Sequence, residues 1–173
     1  YRVNPAGFTI HGAVHMSNPE LTCVLHTHTT AGTSVATQKD GLLPINQHAL
    51  GVLFTLAYHD YEGPATDHDE RARIVADLAD NRILILRNHG LLTVGKSIGE
   101  AFIWMYRAER ACRMQLAFQQ SGAELFPISA DVQRLSMERS KRFSSDKGHR
   151  PVGKLEWPAY LRKLDRLDQS YKT

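Results

Sequence analysis

The chain has 173 residues, 42% of them hydrophobic and 23% charged, a balance expected of one globular domain of ~100–200 residues rather than of a disordered chain. Mean hydropathy is −0.34, and no run approaches the ~18 apolar residues that a membrane-spanning helix needs, so no membrane partner is expected. The net charge of +3 and a pI of about 9.0 suggest nucleic acid, but the excess sits at one end: residues 134–173 hold 11 Lys and Arg against 5 Asp and Glu, residues 1–133 hold 10 against 13. The basic residues of that tail alternate with acids and lack interleaved aromatics, so no nucleic-acid partner is expected either.

In chain order, Asn4-Pro5 is a helix-start signal, and a helix to about Met16 follows. Asn18-Pro19 breaks it, and Leu21 to Leu25 is a short β-prone run ending on His26-Thr27-His28. Ala31 to Gln38 reads as a helix, Leu42-Leu43-Pro44 as extended chain, and Leu50 to Tyr58 is open between helix and strand. Thr66-x-x-Asp69 and Asp67-x-x-Glu70 open an acid-first helix whose buried face is Ile74, Val75 and Leu78.

Ile83-Leu84-Ile85-Leu86 is a continuous apolar tetrad, as in a strand covered on both sides, and it ends on Arg87-Asn88-His89-Gly90. Ser97-Ile98-Gly99-Glu100 has the capping-box form, and Ile98, Phe102, Met105, Cys112 and Leu116 recur at helical spacing until Gly122. Beyond Pro127 the composition is more polar. A helix from Ser129-Ala130-Asp131 to about Phe143 is followed by a linker over 144–153 and a last helix from Trp157-Pro158, with Leu161, Leu164 and Leu167 on one side. Helices alternate with strands, which defines an α/β class, divided into a domain over 1–126 and a basic helical extension over 127–173.

Cys23 and Cys112 are far apart and form no CxxC, so neither a disulfide framework nor a cysteine zinc site is indicated and a reducing cytoplasm is expected. The chain opens on Tyr1-Arg2-Val3 with no secretory signal following.

Three of the nine histidines sit at strand ends. His26 and His28 are two apart, so in extended chain their side chains share a face and both imidazoles can reach one ion. His89 follows the second strand, beside a glycine that permits a tight turn or a close approach. Were the two strands neighbours, three neutral imidazoles would converge as ligands for zinc or a similar ion, with a position left for water or substrate. The alternative is hydrogen-bonded histidines at sheet ends.

Val24-Leu25-His26-Thr27-His28-Thr29, Asp40-Gly41-Leu42-Leu43-Pro44-Ile45, Tyr58-His59-Asp60-Tyr61-Glu62-Gly63 and Leu86-Arg87-Asn88-His89-Gly90-Leu91 resemble, in order and spacing, the class II aldolase/adducin family. The resemblance covers most of residues 3–120. It implies a three-layer α/β/α sandwich with a mostly antiparallel central sheet, whose N-terminal part lies upstream of Tyr1, and a homotetramer. It also implies that His26, His28 and His89 are the metal ligands, with zinc as the usual ion.

In the sugar-phosphate aldolases of that family a glutamate upstream of the HxH pair carries protons, and alignment through His11 puts Gly7 at that position. Asn4-Pro5-Ala6-Gly7-Phe8 resembles adducin and its bacterial relatives instead. A replacement acid or base would be His48, in the loop after the Leu-Pro element, or His11 itself; an imidazole with an unperturbed pKa of ~6.5 suits proton transfer near neutrality. Asp60 reads as a turn residue. The expected function is a divalent-metal-dependent lyase of aldolase or decarboxylase type acting on a small hydroxy-carbonyl or sugar-derived substrate. The alternative is a non-catalytic adducin-like binding or assembly module that retains the metal site. No P-loop or GxGxxG is present.

Overall fold

The computed structural model describes residues 5–63 and 69–172. The Asn4 cap and the Thr66 and Asp67 signals lie outside the described residues. Helix α1 (Pro5–Ser17) leads into strand β1 (Cys23–Thr27). Helix α2 (Thr30–Ala36) begins where the Thr29 hydroxyl accepts from Gly32 N–H at 3.1 Å. The ambiguous run resolves into both forms: α3 (Gln47–Leu53), capped by the Asn46 side chain on Ala49 N–H, then β2 (Leu56–His59).

Helix α4 (Glu70–Leu78) buries Ile74 and Leu78, while Val75 is only partly covered. Next come β3 (Ile83–Leu86) and β4 (Gly90–Gly95), then α5 (Ile98–Ser121), α6 (Ala130–Ser144) and α7 (Glu156–Leu167). Ser97 caps α5, and Gly122 ends it in the left-handed conformation at φ 66°.

The sheet order is β1-β4-β3-β2, with β1/β4 and β4/β3 antiparallel and β2/β3 parallel. Strand β4 was not foreseen. Its Gly90-Leu-Leu-Thr-Val-Gly95 sequence is apolar and glycine-bounded, and all six residues are buried, so it is central rather than peripheral. The sheet's two faces carry separate apolar clusters. Val24, Leu84, Leu86, Leu92 and Val94 pack with α1 and α4 through Ile10, Val14, Ile74 and Leu78. Ile83, Ile85 and Leu91 pack with α2, α3 and α5 through Val35, Val52, Trp104 and Ala108. Alternate residues of β3 thus serve opposite layers, giving the expected three-layer α/β/α sandwich with a mostly antiparallel sheet.

The buried arc of α5 keeps Met105 and Cys112 of the stripe read in the sequence but is otherwise carried by other residues. Ile98, in the first turn, is 61% exposed, and the covered side is carried by Ala101, Ile103, Trp104, Ala108, Ala111 and Cys112. Gln115 continues that arc, fully buried. Its carbonyl accepts from Leu43 N–H at 2.7 Å, and its amide donates to the Gly41 carbonyl at 2.8 Å and to Gln38 Oε1 at 2.7 Å. One side chain therefore satisfies the backbone of the irregular 38–43 segment. Replacing Gln115 with leucine should cost about 1–3 kcal/mol by orphaning buried backbone groups, read as a lower urea midpoint; an unchanged midpoint would contradict this role.

The 144–153 segment is not a free tether. Gly153, at φ 82°, lies so close to α5 that a Cβ there would come 2.4 Å from the Gly99 carbonyl carbon. Trp157 packs on Gly99 and Phe102. Beyond it the expected stripe of α7 loosens: Leu164 and Leu167 are exposed, the latter at 73%. No helix among the described residues is long and apolar enough to cross a membrane, and both cysteines are free.

Candidate metal centre

His26 lies on the face of β1 that carries Val24, because side chains alternate along a strand; Thr27, on the other face, donates to Met105 of α5. His28 is two residues on and points the same way. The strands carrying the histidines are not neighbours, since β4 separates β1 from β3. His89 reaches the pair because it sits in the β3–β4 turn, and β4 runs alongside β1.

That turn is held from several sides. Arg87 N–H donates to the His59 carbonyl (2.8 Å), Asn88 N–H to the Ala36 carbonyl (3.2 Å), and the Thr33 hydroxyl to the His89 carbonyl (3.2 Å). Asn88 adopts φ 56°, a conformation asparagine tolerates better than most residues. The Arg87 guanidinium donates to the Gln38 carbonyl and lies 4.1 Å from the centre of the Tyr58 ring.

The three imidazole centres lie 4.6–4.8 Å apart, and one nitrogen from each falls within 4.8 Å of the others. His26 Nδ1–H donates to the Leu91 carbonyl at 3.0 Å. In the neutral ring this leaves Nε2 with the lone pair, and His28 Nε2 stands 2.8 Å from it. A backbone-oriented histidine with its other nitrogen turned to its fellows is the arrangement a metal-binding imidazole needs, so the donor set fits a divalent ion.

Burial pushes the His26 pKa down to about 4; the Leu91 bond opposes this, and charges on His89, His28 and His11 add to the lowering. His89 is lowered by burial and by His28. Both rings are thus neutral and ligand-competent at pH 7. Because the unfolded chain takes up these protons more readily, protonation favours unfolding. Stability of metal-free protein is therefore full above pH ~6.5 and lost as pH falls towards 4. Melting curves on chelated protein should show Tm dropping from pH 7 to 5, with a shallower drop in H26N; a parallel decline in both proteins would count against this origin.

His11, on α1, is half-buried, and its pKa is lowered by burial and by His15. It lies near enough to His26 for its charge to act on that ring. Gly7 is one helical turn earlier on the same face and has no side chain to offer. His48 lies on the first turn of α3, exposed, and lines a separate cavity with Tyr106 and Arg110. Asp60 and Tyr61 follow β2 beside the cluster and share a small crevice with His89, the Tyr61 ring centre 6.3 Å from that of His89.

One group escaped the sequence reading. His59, 4% exposed, is held between Asp77 Oδ2 (2.7 Å from Nδ1) and Glu70 Oε1 (3.4 Å from Nε2). His59 and the buried Glu70 line the crevice shared with His89. Tyr-His-Asp-Tyr contains His59, but its carboxylate partners come from a helix 11 and 18 residues away, which spacing alone does not disclose.

The layered sheet and the three-histidine cluster at its edge define an α/β/α domain of the class II aldolase kind. Residues 1–116 match the family model described as the class II aldolase and adducin N-terminal domain, and the chain belongs to that family. It is 47% identical over 175 residues to a Pseudomonas aeruginosa protein named for aldolase class 2, covering 99% of this chain and 66% of that protein. It is 37% identical over 179 residues to mouse alpha-adducin, covering 99% of this chain and 24% of the adducin. Among solved structures, an aldolase II superfamily protein from Pseudomonas syringae superposes with a TM-score of 0.86 at 42% identity, over 99% of this chain and 66% of that one. An L-fuculose 1-phosphate aldolase from Glaciozyma antarctica gives 0.74 at 27% identity, over 95% and 60%.

Proposed function

We propose that this chain holds the metal site of a divalent-metal-dependent lyase, of aldolase or decarboxylase type, acting on a small hydroxy-carbonyl or sugar-derived substrate. The observation that carries the reading is the convergence of His26, His28 and His89 with the His26 tautomer set by the Leu91 carbonyl. Zinc is the proposed ion, and when bound it would polarise substrate oxygens and offset the negative charge that develops as a carbon–carbon bond breaks.

The chain's own residues supply the rest. The three imidazoles would hold the ion, the β3–β4 turn fixes His89, and Asp60 and Tyr61 border the approach beside it. His11 is the proton carrier favoured by position, since its charge is felt at His26. His48 is the second candidate, although its cavity is a different one. The likeness to an L-fuculose 1-phosphate aldolase supports a sugar-derived substrate. The same proposal takes the protein to be a cytoplasmic homotetramer, with residues 1–126 as the metal-site domain and 127–173 as an extension docked on α3 and α5.

A second reading is an adducin-like assembly module that keeps the metal site without turnover. Gly7 in place of a carboxylate and the likeness to alpha-adducin favour it. Metal analysis combined with turnover decides between them. One zinc per chain with metal-dependent cleavage of a hydroxy-carbonyl compound supports the lyase, and stoichiometric zinc without cleavage of any such compound supports the module. Protein that contains no ion and takes none up removes both.

A further inference from the structure

A cavity of about 520 Å³ opens between α3, α5, α6 and the segment leading into α7, a size typical of small-molecule sites. It shares no lining residue with the histidine cluster. Four arginines face it, Arg107, Arg110, Arg139 and Arg150, against a single carboxylate, Glu156.

That carboxylate is already used. Glu156 Oε1 accepts from Arg107 Nη2 at 3.1 Å and from Arg150 Nε at 3.2 Å. Arg110 and Arg139 pair with no carboxylate among the described residues. Like charges gathered on the walls of a concave site create a positive potential that an anion relieves, and planar guanidinium groups bind phosphate oxygens in pairs. Tyr106 and Tyr160, with ring centres 5.7 Å apart, form one wall and give an apolar surface for a carbon skeleton.

We propose that this cavity binds a small organic phosphate, its phosphate held by Arg110 and Arg139 and its carbon skeleton lying against Tyr106 and Tyr160. The assignment does not rest on the metal chemistry proposed above, because Arg110, Arg139, Tyr106 and Tyr160 all lie outside the histidine cluster.

The test is calorimetric titration of the full protein at low salt with glycerol 3-phosphate, and with inorganic phosphate in parallel. The variants are R110A and R139A, which remove exposed side chains, and R134A, which removes an arginine that pairs with Asp131 outside the cavity. Saturable binding of glycerol 3-phosphate, tighter than that of inorganic phosphate, is expected. R110A and R139A should each weaken it at least tenfold, and R134A and H26A should leave it unchanged. No saturable binding overturns the proposal, as it would if another stretch of polypeptide filled the cavity. So does binding lost in H26A but kept in R110A and R139A, which would put the phosphate at the histidines. Equal affinity for the two phosphates overturns the contact of the carbon skeleton with Tyr106 and Tyr160.

Discussion

Replacing His26, His28 or His89 singly with alanine is expected to weaken zinc binding by more than about 100-fold, since each removes one of three ligands and loss of even an orienting partner typically costs 10–100-fold. Any metal-dependent cleavage should fall with it. The three variants should differ in stability. His26 is bonded to the Leu91 carbonyl and half-buried between β1 and β4, so H26A should also lower Tm. His28 is exposed, so H28A should lose metal with little change in the apoprotein. Zinc titration against a competing chelator, with melting curves on the chelated proteins, reads both effects. Wild-type affinity in H28A would show that the cluster does not act as one ligand set.

The second large effect is expected at Gly90, where fold and site meet. A Cβ there would come 2.4 Å from the Thr27 carbonyl oxygen and 3.2 Å from Cδ2 of His28. The first clash is with backbone, so no rotamer relieves it; β1 and β4 must separate, or the turn carrying His89 must shift. Overpacking of this kind costs about 3 kcal/mol, and the displacement should spread the three imidazoles. G90A is therefore expected to lose stability and zinc affinity together. G51A is the contrasting control, because Gly51 sits within α3 with nothing within 4 Å of an added Cβ, and helix propensity favours alanine there by about 1 kcal/mol. Urea unfolding and zinc titration measure both variants. A G90A protein with wild-type stability would mean that the glycine is not what lets β1 and the turn meet.

Much of the site was legible in the chain. His-x-His after a short apolar run places two imidazoles on one face wherever that run is extended, because strand side chains alternate. The tetrad Ile83–Leu86 announced a strand buried on both faces, and β3 does serve two apolar layers. The capping box at Ser97 and the glycine at 122 located the ends of α5 to the residue, since both signals act through local backbone hydrogen bonds. The four family motifs all fall within the matched segment, residues 1–116.

What the sequence by itself determined about this protein is local: which runs are strand or helix, where helices start and stop, and which histidines stand at strand ends. The tertiary structure decided what those pieces do to each other. It placed β4 between the two foreseen strands, so that His89 arrives through a turn rather than from an adjacent strand. It selected His26 Nε2 as the free nitrogen by setting Leu91 opposite Nδ1. It joined His59 to Glu70 and Asp77, buried Gln115 under an irregular loop, and gathered four arginines from three separate segments around one cavity. Each of these depends on contacts between residues far apart in the chain. Hydrophobic periodicity and capping report only the neighbourhood of a residue, whereas packing of the sheet against its two helical layers decides which distant groups share a site.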